Sequence, residues 1–146
     1  MDLMKIFAFG INWEMSLSAK KVAMIFELGT KDEKISTLES LANTSDPEII
    51  NKIISKLDDS DIEVRGEAFS SLVLNENNIS KLLIQNLNSE SKNIRGYSAL
   101  VLANRRNTNA ISEIINLTKD QSGMVRACAL GALGYLKAKQ ASKVIH

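Results

Sequence analysis

The sequence is poor in the side chains that most reactive centres need. Among its 146 residues it has one cysteine, Cys128, and one histidine, His146. A single cysteine cannot form an internal disulfide, and the two residues together supply neither metal-ligand spacing nor a nucleophile with its base. The low cysteine count is typical of a reducing compartment. We therefore expect a cytoplasmic protein that has no metal ion or other cofactor.

Proline, aromatic residues and net charge are also scarce. Pro47 is the only proline, aromatics make up 5%, and the β-branched residues stand in short runs at helical spacing, which favours an all-helical chain. Lys and Arg total 18 and Asp and Glu total 17, so the net charge of +1 gives no global field for nucleic acid or an anionic membrane. The most apolar stretch, residues 1–15, is shorter than the roughly 20 residues of a membrane-spanning helix.

One pattern recurs along the chain at a spacing of about thirty residues, which is the mark of a repeat protein. It occupies Leu57–Leu72, Leu87–Leu102 and Leu117–Leu133. Each unit of such an array buries its apolar face by stacking on the next unit. The sequence therefore predicts an all-α fold, an α-solenoid of about four antiparallel helix pairs.

We assign the whole chain, residues 1–146, to one domain. Its predicted parts are an N-terminal segment at 1–16, a degenerate repeat at 17–43, repeats at 46–77, 78–108 and 109–138, and a tail at 139–146. Gly29 is expected to end the first helix because glycine tolerates the left-handed conformation found after many helices. Asp46, Pro47 and Glu48 form a helix start, with a capping acceptor, a proline in the first turn and an acid near the helix dipole.

The N-terminal segment has several possible roles. A signal peptide is not indicated, because Asp2 precedes the apolar residues and no small-residue cleavage site comes after them. We favour a cap over the end of the solenoid. The alternatives are pairing with a partner or with a second copy, which would make a homo-oligomer, and then disorder or membrane association.

The pattern from Leu57 to Leu72 has Asp59, Asp61, Val64, Arg65 and Ala68 between its two leucines. It resembles the HEAT-like repeats of the type first named from phycobilisome lyases, clearly over about residues 46–136 and weakly over 17–43. The resemblance implies antiparallel helix pairs whose second helices line a concave face. It says little about function, because lyases, hydroxylases and adaptors share such repeats. The HEAT-like hydroxylases hold iron with paired His-Glu motifs, which this sequence lacks, so we expect no enzyme.

An arginine begins the second helix of three repeats, at Arg65, Arg95 and Arg126, and Lys34 takes this position in the first. Guanidinium groups suit phosphates and carboxylates, so this ladder could bind an anion. We favour a structural ladder that binds turn carbonyls and acidic neighbours in the adjacent repeat. Asp61 belongs to it as a helix cap, and we interpret Asp59, Ser91 and Ser122 as caps also.

Four residues near the second helices are candidate partner contacts: Glu67, Tyr97, Arg105 and Arg106. Tyrosine and arginine are favoured at interface hot spots, although a solvated loop would also explain the two arginines. Small residues share one repeat position, at Gly66, Gly96 and Ala127. We expect them to let neighbouring helices approach closely.

These features predict a non-catalytic adaptor or scaffold that binds a protein or peptide on its concave face. The alternative is nucleic-acid binding through backbone contacts of Arg105, Arg106, Lys137, Lys139 and Lys143. An accessory role in enzyme or cofactor-lyase assembly is suggested by the resemblance alone.

Overall fold

A computed structural model describes residues 18–145 and the side chains of residues 18–137. All regular structure within these residues is helical. The chain divides into two units, residues 1–77 and 78–146, which are described one at a time. The N-terminal segment 1–16 and its expected roles lie outside the described residues, and the assignment of residues 1–146 to one domain stays a prediction.

The first unit contains two helix pairs. The first pair is α1 (Ala19–Leu28) and α2 (Lys31–Ser40); the second is α3 (Pro47–Ser55) and α4 (Ile62–Leu74), joined by a 3-10 turn at Lys56–Asp58. The helix α1 packs on α3, and α2 packs on α4. First helices therefore stack on first helices and second on second, as in an α-solenoid. The apolar core of this unit includes the fully buried Ile25, Leu38, Ile53, Val64 and Leu72.

The second unit also contains two helix pairs. Its pairs are α5 (Ser80–Gln85) with α6 (Lys92–Asn104) and α7 (Ile111–Leu117) with α8 (Gly123–Ile145), and 3-10 turns lie at Asn86–Asn88 and Thr108–Ala110. The helix α6 packs along α8, and each first helix packs on the second helix of its own pair. Because α8 continues to Ile145, residues 139–145 of the predicted tail extend this helix. The prediction of an all-α fold made of stacked helix pairs is confirmed.

Short polar side chains fix where the second helices begin. The Asp61 carboxylate accepts the amides of Glu63 and Val64, and the hydroxyls of Ser91 and Ser122 accept those of Ile94 and Val125. Each cap satisfies an amide that has no partner inside its helix and contributes about 1 kcal/mol. At α3, Asp46 Oδ1 accepts the Glu48 amide at 2.9 Å, and Pro47 is the first helical residue. The cap positions predicted at Asp46, Asp61, Ser91 and Ser122 agree with these hydrogen bonds.

The structure corrects the expectation for Gly29. This residue does end α1, but its φ of −73° is extended backbone and not left-handed. Glycine is needed there because a Cβ atom would lie 2.5 Å from the carbonyl oxygen of Ile25. Close backbone approach, and not a positive φ, is the physical requirement.

The small-residue position behaves differently in the two units. A Cβ at Gly96 would lie 3.1 Å from Met124 Sδ and from Cys128 Sγ, so this glycine does let α6 and α8 approach closely. A Cβ at Gly66 would meet nothing within 4 Å. The packing explanation holds for Gly96 and is wrong for Gly66.

Candidate functional site

Each ladder arginine binds the turn that precedes its own helix. Nη1 of Arg65 donates to the carbonyl oxygen of Asp59 at 2.7 Å, and Nη1 of Arg95 donates to that of Ser89 at 2.9 Å. Nη1 of Arg126 donates to the carbonyl oxygen of Asp120 at 2.8 Å. The acceptor lies six residues before the arginine in all three turns. The same side chain therefore closes the same turn in three successive repeats.

The ladder also joins neighbouring repeats within each unit. In the first unit, Lys34 Nζ lies 3.1 Å from Asp59 Oδ2, and both side chains are mostly buried. In the second, Arg95 holds both carboxylate oxygens of Asp120, with Nε–Oδ2 at 2.9 Å and Nη2–Oδ1 at 3.1 Å. Both pairs span 25 residues. A cation of one helix pair thus binds the carboxylate in the inter-helix turn of the next pair.

Asp59 and Asp120 accept from an arginine through their backbone carbonyls and bind a cation of the preceding helix pair through their carboxylates. Each carboxylate also accepts a backbone amide of its own turn. Asp59 Oδ1 accepts the amide of Asp61, and Asp120 Oδ1 accepts the amide of Ser122, both at 2.9 Å. Burial tends to raise the pKa of Asp59, but hydrogen bonds from the Asp61 amide and Lys34 hold it below its ordinary value. The hydrogen bond from Arg95, followed by that from the Ser122 amide, lowers the pKa of Asp120. Both carboxylates are thereby held in their charged form.

The roles expected for these acids from the sequence differ in part. A cap was expected at Asp59, which instead binds Lys34, Lys56 and the Asp61 amide. Asp61 caps α4 as expected, and Asp120 was not among the predicted ladder residues. The missed signal was the position six residues before each arginine, which holds Asp59, Ser89 and Asp120. The interpretation that the ladder residues have a structural role and bind no ligand stays a prediction.

Of the candidate partner contacts, Glu67 lies in the first unit and the other three lie in the second. Glu67 is half-buried on α4. Its pKa is raised first by burial and then by the charge of Glu39 on α2. Tyr97 is half-buried on α6. The Glu39–Glu67 pair gives the first unit a negatively charged surface on its second helices.

Arg105 and Arg106 lie at the carboxyl end of α6, where Arg105 is the C-cap residue. Arg106 is exposed and has a φ of 59°. Its amide donates to the carbonyl of Ala103 at 2.9 Å, and the Asn107 amide donates to that of Leu102 at 3.0 Å. These two bonds are the Schellman motif, whose left-handed residue is usually glycine. Arg105 is half-buried, and burial lowers the pKa of its guanidinium.

A polar cleft of about 410 Å³ opens beside the Arg95–Asp120 pair in the second unit. Its wall includes Asn88, Glu113 and Asn116. The Arg95 donors that face it are already bound to Asp120 and to turn carbonyls. This cleft is not evident in the sequence, because residues from two helix pairs form it.

Two features of the described residues concern metals and membranes. Residues 18–137 contain no group of three or more His, Cys, Asp or Glu side chains placed to hold a metal ion. Among the helices of residues 18–145, none has both the length and the apolar character needed to cross a bilayer. Cys128 is half-buried, and burial raises the pKa of its thiol.

Helix pairs that pack on one another, with a cation repeated in the second helix of each pair, define an α-helical repeat protein. Residues 80–145 match the family model described as HEAT repeats. This match supports a HEAT-repeat protein, in agreement with the family resemblance seen in the sequence. Comparison with curated proteins and with solved structures gives no significant match. HEAT repeats are generally protein-interaction scaffolds and are typically non-catalytic.

Proposed function

We propose that this chain is a non-catalytic interaction module that holds a segment of a protein partner. The second helices and the loops after them supply the binding surface, with Glu67, Tyr97, Arg105 and Arg106 as contacts. The HEAT-repeat family supports this general role. The observation that carries the proposal is the backbone conformation of Arg106.

Arg106 costs the fold more than the expected glycine would. A left-handed conformation costs a residue with a Cβ roughly 1–2 kcal/mol, whereas glycine adopts it freely. The Arg106 side chain is exposed. Strained residues of this kind cluster at functional sites, and arginine is enriched in interface hot spots. A contact with a partner explains why an arginine stands at a position that suits glycine.

The charges of the first unit favour a protein over a nucleic acid. Burial and then the charge of Glu39 raise the pKa of Glu67. A phosphate backbone would be repelled by this pair, whereas a Lys or Arg side chain of a protein would relieve their repulsion. The same unit exposes Ile62 at 73%, which offers apolar contact area on α4.

The test compares Arg106→Gly with Lys81→Ala, which removes one exposed positive charge from α5. Both variants and the wild type serve as bait in a lysate of the native cell, and their free energies of unfolding are measured in urea. We expect Arg106→Gly to be more stable by about 1 kcal/mol and yet to lose the captured partner. Lys81→Ala should keep it. Unchanged capture by Arg106→Gly would refute the proposed contact.

Nucleic-acid binding is the second candidate, and the charge of the second unit favours it. The helices α6 and α8 carry six Lys or Arg residues and no Asp or Glu. The basic residues proposed for backbone contact are Arg105, Arg106, Lys137, Lys139 and Lys143; the side chains of the last two lie outside the described residues. A salt series with a labelled oligonucleotide separates the two candidates. Binding through phosphates falls steeply between about 50 and 200 mM salt, whereas apolar contacts with a protein change far less.

A further inference from the structure

The outer surface of α8 exposes a repeat position that is fully buried in α2 and α6 and partly buried in α4, at Phe69. Leu130 stands four residues after its ladder arginine, as Leu38 and Ala99 stand after the ladder cations of their own helices. Leu38 and Ala99 are fully buried, and another helix pair comes after each of them within its own unit. Leu130 is 62% exposed. It occupies a position whose side chains are buried in α2 and α6.

The residues around Leu130 are small and form what we call the end face of α8: Ala127, Leu130, Gly131 and Gly134. Ala127, Gly131 and Gly134 hold the repeat positions of Gly96, Leu100 and Ala103 on α6. Gly96 is the point where α6 meets Met124 and Cys128 of α8. On the end face, by contrast, a Cβ at Gly131 or Gly134 would meet nothing within 4 Å. The surface that α6 presents to α8 therefore has an open counterpart on α8.

The charged side chains of α8 itself all have one sign. The helix α8 contains four Lys or Arg residues and no Asp or Glu. Arg126 and Lys137, both exposed, are eleven residues apart, which places them within about 20° of each other on the helix, on the Leu130 edge. A second copy of α8 would bring like charges together. An acidic helix would find apolar contact and a complementary charge on the same surface.

We propose that the end face of α8 binds an acidic amphipathic helix of another protein. In the contact of α6 with α8, the side chains that meet Gly96 are Met124 and Cys128, which are four residues apart. A helix bound to the end face would therefore present apolar side chains of similar size at the same spacing. Acidic residues beside that stripe would face Arg126 and Lys137. This surface is separate from the Arg106 loop, so the binding proposed here and the contact proposed at Arg106 fail or succeed independently.

The probe is a labelled helical peptide of about 18 residues, long enough to retain helicity, with Met and Ala at four-residue spacing and Glu beside them. A second peptide has Lys in place of every Glu. Fluorescence anisotropy measures the affinity of each peptide for the wild type and four variants. Leu130→Glu is matched by Leu74→Glu, whose side chain is 70% exposed in the first unit. Lys137→Glu is matched by Lys81→Glu. Circular dichroism checks that each variant is folded.

We expect the Glu peptide to bind the wild type, and Leu130→Glu and Lys137→Glu to weaken binding at least about tenfold, as for hot-spot residues. Leu74→Glu and Lys81→Glu should bind normally, and the Lys peptide should bind poorly. Equal binding of the two peptides, normal binding by Leu130→Glu and Lys137→Glu, or no binding to the wild type would overturn the proposal. Self-association that Leu130→Glu abolishes, seen by sedimentation, would assign the surface to a second copy and also overturn it.

Discussion

Arg95 and Asp120 form a two-point ion pair across 25 positions of the chain, with Nε–Oδ2 at 2.9 Å and Nη2–Oδ1 at 3.1 Å. Both side chains are nearly buried, with 12% and 10% of their surface exposed. In the first unit, Lys34 and Asp59 form the corresponding ion pair, and they are also 25 residues apart in the sequence. One cation–carboxylate link therefore holds consecutive helix pairs together in each unit.

Asp120→Asn should lower the free energy of unfolding by about 2 kcal/mol, because a charge-assisted hydrogen bond is lost while the Arg95 guanidinium stays nearly buried. Urea unfolding monitored by circular dichroism measures the change. The control is Glu90→Gln, which alters an exposed acid in the preceding inter-helix turn and should stay within about 0.5 kcal/mol of the wild type. Equal stabilities of the two variants would refute a stabilising role for the pair.

Stability should fall at acid pH through Asp59 and Asp120. Their pKa values in the folded chain lie below the ordinary 3.8, so below that pH the unfolded chain binds more protons than the folded one. Their contribution is complete above about pH 5 and disappears as the pH falls through the folded values. Unfolding midpoints between about pH 7 and pH 3 should decline less steeply for the Asp59→Asn, Asp120→Asn double variant than for the wild type. Parallel curves would contradict the prediction.

The ionisation of Glu67 should affect stability in the opposite direction to that of Asp59 and Asp120. Burial and Glu39 raise its pKa above 4.5, so its charged form destabilises the folded chain at neutral pH. Protonation removes that cost as the pH falls through the raised value. We expect Glu67→Gln to gain about 0.5 kcal/mol at pH 7, comparable to relief of one like-charge pair, and to lose the advantage near pH 4. Thermal unfolding at the two pH values would reveal any failure of this pattern.

Gly66 and Gly96 hold the same repeat position and should respond differently to alanine. Gly66→Ala gains about 1 kcal/mol because alanine favours helix and the new Cβ meets nothing within 4 Å. Gly96→Ala places its Cβ 3.1 Å from Met124 and Cys128, so crowding offsets the same gain. Urea unfolding should rank Gly66→Ala above the wild type and above Gly96→Ala. The reverse order of the two variants would show that the close approach of α6 and α8 is not restrictive.

Ser98 is a buried hydroxyl on α6, with no hydrogen-bond partner among the described residues. Ala68 and Ala129, which occupy the same repeat position, are also fully buried. Ser98→Ala should raise the free energy of unfolding by about 1 kcal/mol, because an unpaired hydroxyl is removed from the core. The reciprocal change, Ala129→Ser, should destabilise the chain by a similar amount. A loss of stability in Ser98→Ala would show that the hydroxyl has a favourable role.

Much of the fold could be predicted because its signals are local. Asp61, Ser91 and Ser122 mark helix starts through bonds to residues two or three positions away, and the recurring arginine sets the repeat register. Even the 25-residue links could be anticipated, since Asp59 and Asp120 share a repeat position.

Other features depend on atoms that periodicity does not specify. The left-handed conformation of Arg106 results from how α6 ends. An arginine would by itself predict a negative φ, because the left-handed residue after a helix is usually glycine. Gly66 and Gly96 read alike in sequence, yet only Gly96 has a helix close against it. The exposure of Leu130 is likewise not specified by its repeat position, since Leu38 and Ala99 at that position are buried.

The pairing of Lys34 and of Arg95 with a carboxylate one helix pair further on restricts how such a chain can grow. Duplicating a complete pair in frame supplies a new cation and a new acceptor together, so every existing link keeps its geometry. Inserting one residue inside a second helix, before its cation, instead rotates the remainder of that helix by about 100° and turns the guanidinium away from its acceptor. Expansion by whole modules is therefore the route that this architecture tolerates.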